Sequence, residues 1–300
     1  MEASIAIFIF NRPQESRKVF EAVRLIKPSR LFLVADGPRP LRTGETEKCE
    51  LTRKIFEEID WTCDVRKNYS EINLGCARRV SSGLNWVFSL VEEAIILEDD
   101  CVPHPTFFRY CIELLERYRD DERVMSICGL SVPPSSRRDS FSYCFSQYQR
   151  CWGWASWRRA WQHYDHDMQL WPQAAETNLL EDLLPDRQSV DFWHNKFQAV
   201  YDGKIDSWAY RWMLACWLHR GLSIIPSTNL IANVGVTSDA THTVNDSFAA
   251  QLTASEISFP LQHPPYMVQD RQADLYIQRT RHSAGLAYRV ERKLKKLLKV

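Results

Sequence analysis

The chain has 300 residues, with 38 Lys and Arg set against 38 Asp and Glu, so no net field favours nucleic acid or another polyanion. Apolar residues make up 45% of it, enough for one large core or two joined ones, and no apolar run approaches membrane-spanning length. The start, Met1-Glu2-Ala3-Ser4, lacks the basic region of a secretory signal, and the nine Cys show neither a C-x-x-C pair nor a zinc-like spacing; together these predict a cytoplasmic protein with reduced thiols.

Ile5–Phe10 reads as a buried strand, followed by a helix from Pro13 with Val19, Val23 and Ile26 on one face. Leu31–Ala35 is a second strand ending in Asp36-Gly37-Pro38, and Lys48–Ile59 a helix with Leu51, Ile55 and Ile59 on one side. Cys63–Lys67 is a third strand. Asn73-Leu74-Gly75 punctuates the chain before a helix through Val80, Leu84 and Val87. Ala94–Leu97, a helix from Thr106 to Tyr118 and the strand Val124–Cys128 complete repeated βα units. Continuous apolar strands alternating with helices predict an α/β fold, a mostly parallel sheet covered on both faces.

After the Pro133–Arg138 loop the texture changes. Trp152, Trp154, Trp157, Trp161 and Trp171 crowd together, residues 165–195 mix polar and helical character, and Ile205–Leu218 reads as an apolar helix introduced by Asp206. Leu222–Pro226 is one more strand, and Asn233–Thr243 a polar loop. From Arg289 to Lys299 cations surround Val290, Leu294, Leu297 and Leu298. That is a basic amphipathic helix suited to an anionic membrane surface, or else a solvated terminal helix. The chain thus divides into an α/β region over 1–130, a continuous second region over 131–265, and a tail over 266–300.

Ala94-Ile95-Ile96-Leu97 runs directly into Glu98-Asp99-Asp100. Adjacent carboxylates repel and are costly to bury unless something neutralises them. Mg²⁺ and Mn²⁺ favour one or two carboxylates together with phosphate oxygens. The carboxyl ends of parallel strands are where open α/β sheets bind ligands, so the triplet fits a metal–diphosphate site. A solvated acidic turn capping the helix near Thr106 is the competing reading. Asn11-Arg12 and Asp36-Gly37 end other strands, and all would converge on one sheet edge. No G-x-G-x-x-G and no G-x-x-x-x-G-K-[ST] loop is present, which removes the usual dinucleotide and P-loop readings.

Asn11-Arg12-Pro13, Asp36-Gly37-Pro38, Asn73-Leu74-Gly75-Cys76-Ala77-Arg78 and Leu97-Glu98-Asp99-Asp100, in that order, resemble a glycosyltransferase of the GT-A fold. They are similar to family 2-like bacterial enzymes, and the acidic segment also resembles that of N-acetylglucosaminyltransferase I. The resemblance is strongest over 5–130 and continues more weakly to about Thr243. It implies a nucleotide-diphosphate sugar donor, UDP-linked, a glycan or glycolipid acceptor of cell-surface polysaccharide synthesis, and Mn²⁺ or Mg²⁺. It implies Asn11, Arg12, Asp36, Gly37 and Arg78 about the nucleotide, with Arg79 the alternative inward-facing arginine. Asp36 would bond the base, or merely shape an Asx turn. Asp100 would be the metal ligand, Asp99 a ribose partner and Glu98 structural within the donor site. A late His, His242, would complete the metal site. The inverting general base would be Asp206, which could instead cap the following helix; Asp165, Asp167 and Asp239 are weaker candidates. Trp152 and Trp154 would stack on sugar rings. A sugar-1-phosphate nucleotidylyltransferase and a non-catalytic carbohydrate-binding protein remain as alternatives. The first would carry a Gly-rich basic loop where Asn11-Arg12-Pro13 stands.

Overall fold

Side chains of β1 (Ser4–Ile9) alternate between two cores: Ile5, Ile7 and Ile9 enter one, Ala6 and Phe8 the other. The same alternation in β2 (Arg30–Ala35) sends Leu31 and Leu33 one way, Phe32 and Val34 the other. A sheet apolar on both faces needs helices on both. On the first face α1 (Pro13–Ile26) supplies Val19, Phe20 and Val23, and α2 (Glu45–Ile55) supplies Ile55. β3 (Asp64–Tyr69) is an edge strand with much of its surface exposed. On the second face α3 (Cys76–Leu90) contributes Val80, Leu84 and Val87. β4 (Glu93–Glu98) again alternates, Ile95 and Leu97 opposite Ala94 and Ile96.

This computed structural model describes residues 3–131, 141–235 and 252–282; the Pro133–Arg138 loop, Asp239, His242 and the basic stretch from Arg289 lie outside them. After β4 come a short β5 (Cys101–Pro103), α4 (Pro105–Arg117) and β6 (Val124–Cys128). The later strands are β7 (Tyr143–Ser146), β8 (Trp154–Trp157), β9 (Leu222–Pro226) and β10 (Ile231–Asn233). Eight of them form one sheet in the order β3-β2-β1-β4-β8-β6-β9-β7. β1, β2, β3 and β4 pair in parallel, as do β6 and β9, whereas β8 inserts antiparallel between β4 and β6 and β7 closes the far edge antiparallel to β9. The expected α/β class, with a mostly parallel sheet flanked by helices, is what the chain adopts.

The second region belongs to the same sheet through β7, β8 and β9. Its helices are α5 (Arg158–Trp161), α6 (Trp171–Ala175), α7 (Leu179–Leu183), α8 (Arg187–Tyr201) and α9 (Trp208–Leu218). α9 is apolar on two faces because it is enclosed on two sides. Trp208, Trp212 and Cys216 face the second core, while Met213, Leu214 and Trp217 face a third with Trp171, Trp193 and Phe197.

Residues 266–282 are built into the body. α10 (Arg271–Ile277) continues into a π-helical turn, Gln278–His282, whose Gln278 accepts from Tyr148 and Trp193. Asp274 accepts from the Ser146 hydroxyl, the Gln147 N–H and the Gln269 amide, tying α10 to β7. Burial nonetheless pushes its carboxyl from the ordinary 3.8 up to about 6. A raised carboxyl pKa means that the folded state holds the proton longer. Its stabilising share is therefore complete below pH 4 and lost as pH rises through 6, on the order of 3 kcal/mol in all. In urea unfolding, Asp274→Asn is expected to gain about 2 kcal/mol on wild type between pH 4.5 and 7. Parallel profiles would remove the assignment. No helix among the described residues is long and apolar enough to cross a membrane.

Candidate functional site

A cavity of about 380 Å³ opens at the carboxyl ends of β1, β2 and β4. Its walls include Phe10, Arg12, Asp36, Arg39, Asn73, Arg79, Trp152, Asp206 and Asn233, with Glu98, Asp99 and Asp100 together on one side. The expected convergence of strand ends is thus realised.

The triplet starts on the last residue of β4 and turns at once into β5. It does not cap α4: His104 does, its Nδ1 accepting from the Thr106 N–H at 3.2 Å. β5 pairs with β10, placing Asn233 against the Asp100 carboxylate (Nδ2 to Oδ1, 3.3 Å), and the Asp100 carbonyl accepts from Val234 at 2.8 Å. Behind it, a Cβ on Gly235 would lie 2.1 Å from Asp100 Oδ2, so only glycine fits. Asp99 Oδ2 accepts from the Phe10 N–H at 3.1 Å, locking the β4 turn to the end of β1. Burial and then the neighbouring charges push the Glu98 and Asp99 carboxyls well above the carboxylate range.

The counter-charge comes from Arg12. Its guanidinium lies 2.6 Å from Asp100 Oδ2 and 3.8 Å from Asp99 Oδ1. Burial works against that cation, but Asp99 and Asp100 raise its pKa on balance. Among the described residues Arg12 borders the acidic triplet rather than an isolated base pocket.

No family model matches this sequence, and no curated protein matches it. Among solved structures, residues 1–349 of Staphylococcus aureus TarS are similar at 10% identity and a TM-score of 0.42, over 77% of this chain. This chain spans 59% of that one. Mouse xyloside xylosyltransferase 1 is similar at 9% identity and a TM-score of 0.37, over 74% of this chain and 84% of that one. The 4-diphosphocytidyl-2C-methyl-D-erythritol synthase of Anaerococcus prevotii is similar at 11% identity and 0.35, over 66% and 99%. None of these values assigns a reaction to this chain.

Several expected contacts are relocated. Both oxygens of Asp36 are engaged: Oδ1 by the Gly37 and Leu74 N–H groups, Oδ2 by Asn73 Nδ2 and the Gly75 N–H. Asp36 is therefore a clamp on the 73–75 loop, an extended form of the Asx turn, rather than a free acceptor for a base. Gly37 donates to the Ile72 carbonyl within the same packing. Asn11 turns away from the cavity and donates to Glu45, which also holds Arg39 through both its N–H and its guanidinium. So Arg39, absent from the sequence reading, lines the wall. Arg78 is exposed, whereas Arg79 reaches the wall while donating to the Asn68 carbonyl and side chain. The alternation of a helix explains it: one residue on turns the side chain by about 100°.

The aromatic residues divide too. Trp152 borders the cavity. Trp154 is 1% exposed and stacks on Trp208 at 5.6 Å, so it belongs to the second core. Strand β8 explains the correction, because it carries the Trp residues into the sheet interior. Trp171 and Trp161 are likewise buried.

Asp206 ends the loop before α9, but it caps neither that helix nor a turn of its own. Its Oδ1 accepts from Ala77 in the first turn of α3 at 3.3 Å. Gly75, at φ +81°, lets this approach happen: a Cβ there would lie 3.0 Å from Asp206 Oδ2. The carboxylate thus occupies the amino end of α3 and remains exposed to solvent. Asp165 instead bonds the N–H groups of Asp167 and Gln169 within its own loop, away from the cavity.

Glu98, Asp99 and Asp100 put carboxylate oxygens on the cavity wall. Among the described residues no three His, Cys, Asp or Glu side chains form a ready cage. Mg²⁺ and Mn²⁺ need few protein ligands when phosphate supplies the rest. Of the three adjacent carboxylates, Asp99 and Asp100 are paired with the Arg12 guanidinium.

Proposed function

We propose that this chain is a cation-dependent glycosyltransferase of the GT-A type, moving a sugar from a UDP-linked donor to a hydroxyl acceptor with inversion. The observation that carries the reading is the acidic triplet on one wall of a cavity at the carboxyl ends of parallel strands, with a solvent-exposed Asp206 on the same cavity. Asp100 would hold Mn²⁺ or Mg²⁺ beside Asp99, and the cation would neutralise the departing nucleoside diphosphate. Among the described residues Asp206 Oδ2 has no hydrogen-bond partner and would accept the acceptor's proton. Trp152 would offer an apolar face to a pyranose ring. Arg39 and Arg79 supply cations to the nucleotide end.

A nucleotidylyltransferase is less well supported. Such an enzyme must cradle a triphosphate after the first strand, yet β1 ends at Ile9 and Pro13 already begins α1. A thermal-shift panel of sugar nucleotides tests the reading. UDP-sugar with Mn²⁺ is expected to raise the melting temperature beyond either alone, with slow release of free UDP. Pyrophosphate release from a nucleoside triphosphate and a sugar 1-phosphate would favour the alternative instead.

A further inference from the structure

The guanidinium of Arg12 already occupies one oxygen of Asp100, the carboxylate to which the proposed function assigns the cation. Arg12 holds Asp100 Oδ2 at 2.6 Å and stands 3.8 Å from Asp99. Gly235 leaves no room for a side chain beside that oxygen, since a Cβ there would lie 2.1 Å away. Among the described residues the remaining oxygen has only long contacts, Asn233 at 3.3 Å and the Cys101 thiol at 3.5 Å. An ion seated on Oδ2 must therefore move Arg12 aside.

The backbone of Arg12 has no freedom to follow. It stands at the amino cap of α1, with Pro13 in the first turn and its carbonyl accepting from Ser16 at 2.9 Å. Only the side chain can swing. At 18% exposure it borders the cavity, so a displaced guanidinium stays within reach of a ligand there. A free cation in that space needs an anion, and a diphosphate is the anion a guanidinium pairs with best.

We infer that Arg12 is an internal stand-in for the divalent cation, one that yields Asp100 to the metal and transfers to the donor diphosphate. This rests on the function proposed above. It makes metal and nucleotide binding mutually dependent. Without nucleotide, the ion must break the Arg12–Asp100 pair with nothing offered in return; with nucleotide, the guanidinium is re-paired.

The test is Mn²⁺ binding followed by the paramagnetic resonance of free Mn²⁺, with and without UDP, in the full chain. In the wild type UDP is expected to tighten Mn²⁺ roughly 5- to 150-fold. In Arg12→Ala, Mn²⁺ alone should bind about tenfold or more tighter than in wild type, while the UDP-dependent gain should fall well below the wild-type value without vanishing, because phosphate oxygens still ligate the ion. Arg12→Gln, which keeps a hydrogen bond to Asp100 without the charge, should change in the same direction and guards against misfolding of the alanine variant. Equal or weaker Mn²⁺ binding in both variants, with the wild-type UDP effect retained, overturns the inference and leaves the proposed function standing. If wild type binds no Mn²⁺ even with UDP, both fall.

Discussion

Asp100→Asn is expected to abolish cation-dependent binding of a sugar nucleotide while leaving the fold intact. The substitution keeps the side chain's shape and its contact with Asn233, so β5 and β10 should stay paired. What it removes is the charge that a hard cation requires. Changes one shell away from a metal cost roughly 10–100-fold in affinity, so loss of the ligand itself should exceed that. The stability cost is smaller. Arg12 loses its short partner but keeps Asp99 at 3.8 Å, and an unsatisfied charged hydrogen bond costs about 1.5–3 kcal/mol. Calorimetric titration with UDP and Mn²⁺, beside urea unfolding, separates the two effects. Unchanged titration in a stable variant would take the cation away from Asp100.

Backbone-scale features were legible because they depend on periodicity. Val124–Cys128 and Leu222–Pro226 agree with β6 and β9 at both ends. The triplet's place at the end of β4 followed from an apolar run meeting three acids. α2 was misjudged at both ends: it begins at Glu45, where that carboxylate gathers Arg39 and Asn11, and stops at Ile55, where Phe56 turns back on the Arg53 carbonyl. Side-chain direction was least legible. Arg78 and Arg79 differ only by one step around a helix, and nothing local chooses between them. Trp154 looked like a sugar platform because it lies in an aromatic-rich segment; β8 pairs with strands more than twenty residues away on both sides, and that burial is invisible locally. The partners of Asp36 were not legible, since most of its donors arrive from residues 73–75.

Asp206 separates a catalytic carboxylate from a structural one. Asp206→Asn is expected to spare binding of UDP and Mn²⁺ and lower turnover by about 10²–10⁴-fold. The amide oxygen still accepts from Ala77 and so preserves the contact at the amino end of α3; what is lost is the capacity to take a proton. Asp206→Ala removes both, and should add a stability cost of about 0.5–2 kcal/mol, as for a lost helix cap. The pair of variants discriminates between roles. A base predicts that both lose turnover and only alanine loses stability. A purely structural role predicts that Asn behaves like wild type and that Ala loses turnover only in proportion to its loss of fold. The two roles coexist in the geometry, because Oδ1 faces the helix while Oδ2 lies beside Gly75, a residue with no side chain to cover it. Turnover of Asp206→Asn within a few-fold of wild type would leave Asp206 as the clamp that seats α3, and the proton would have to go elsewhere.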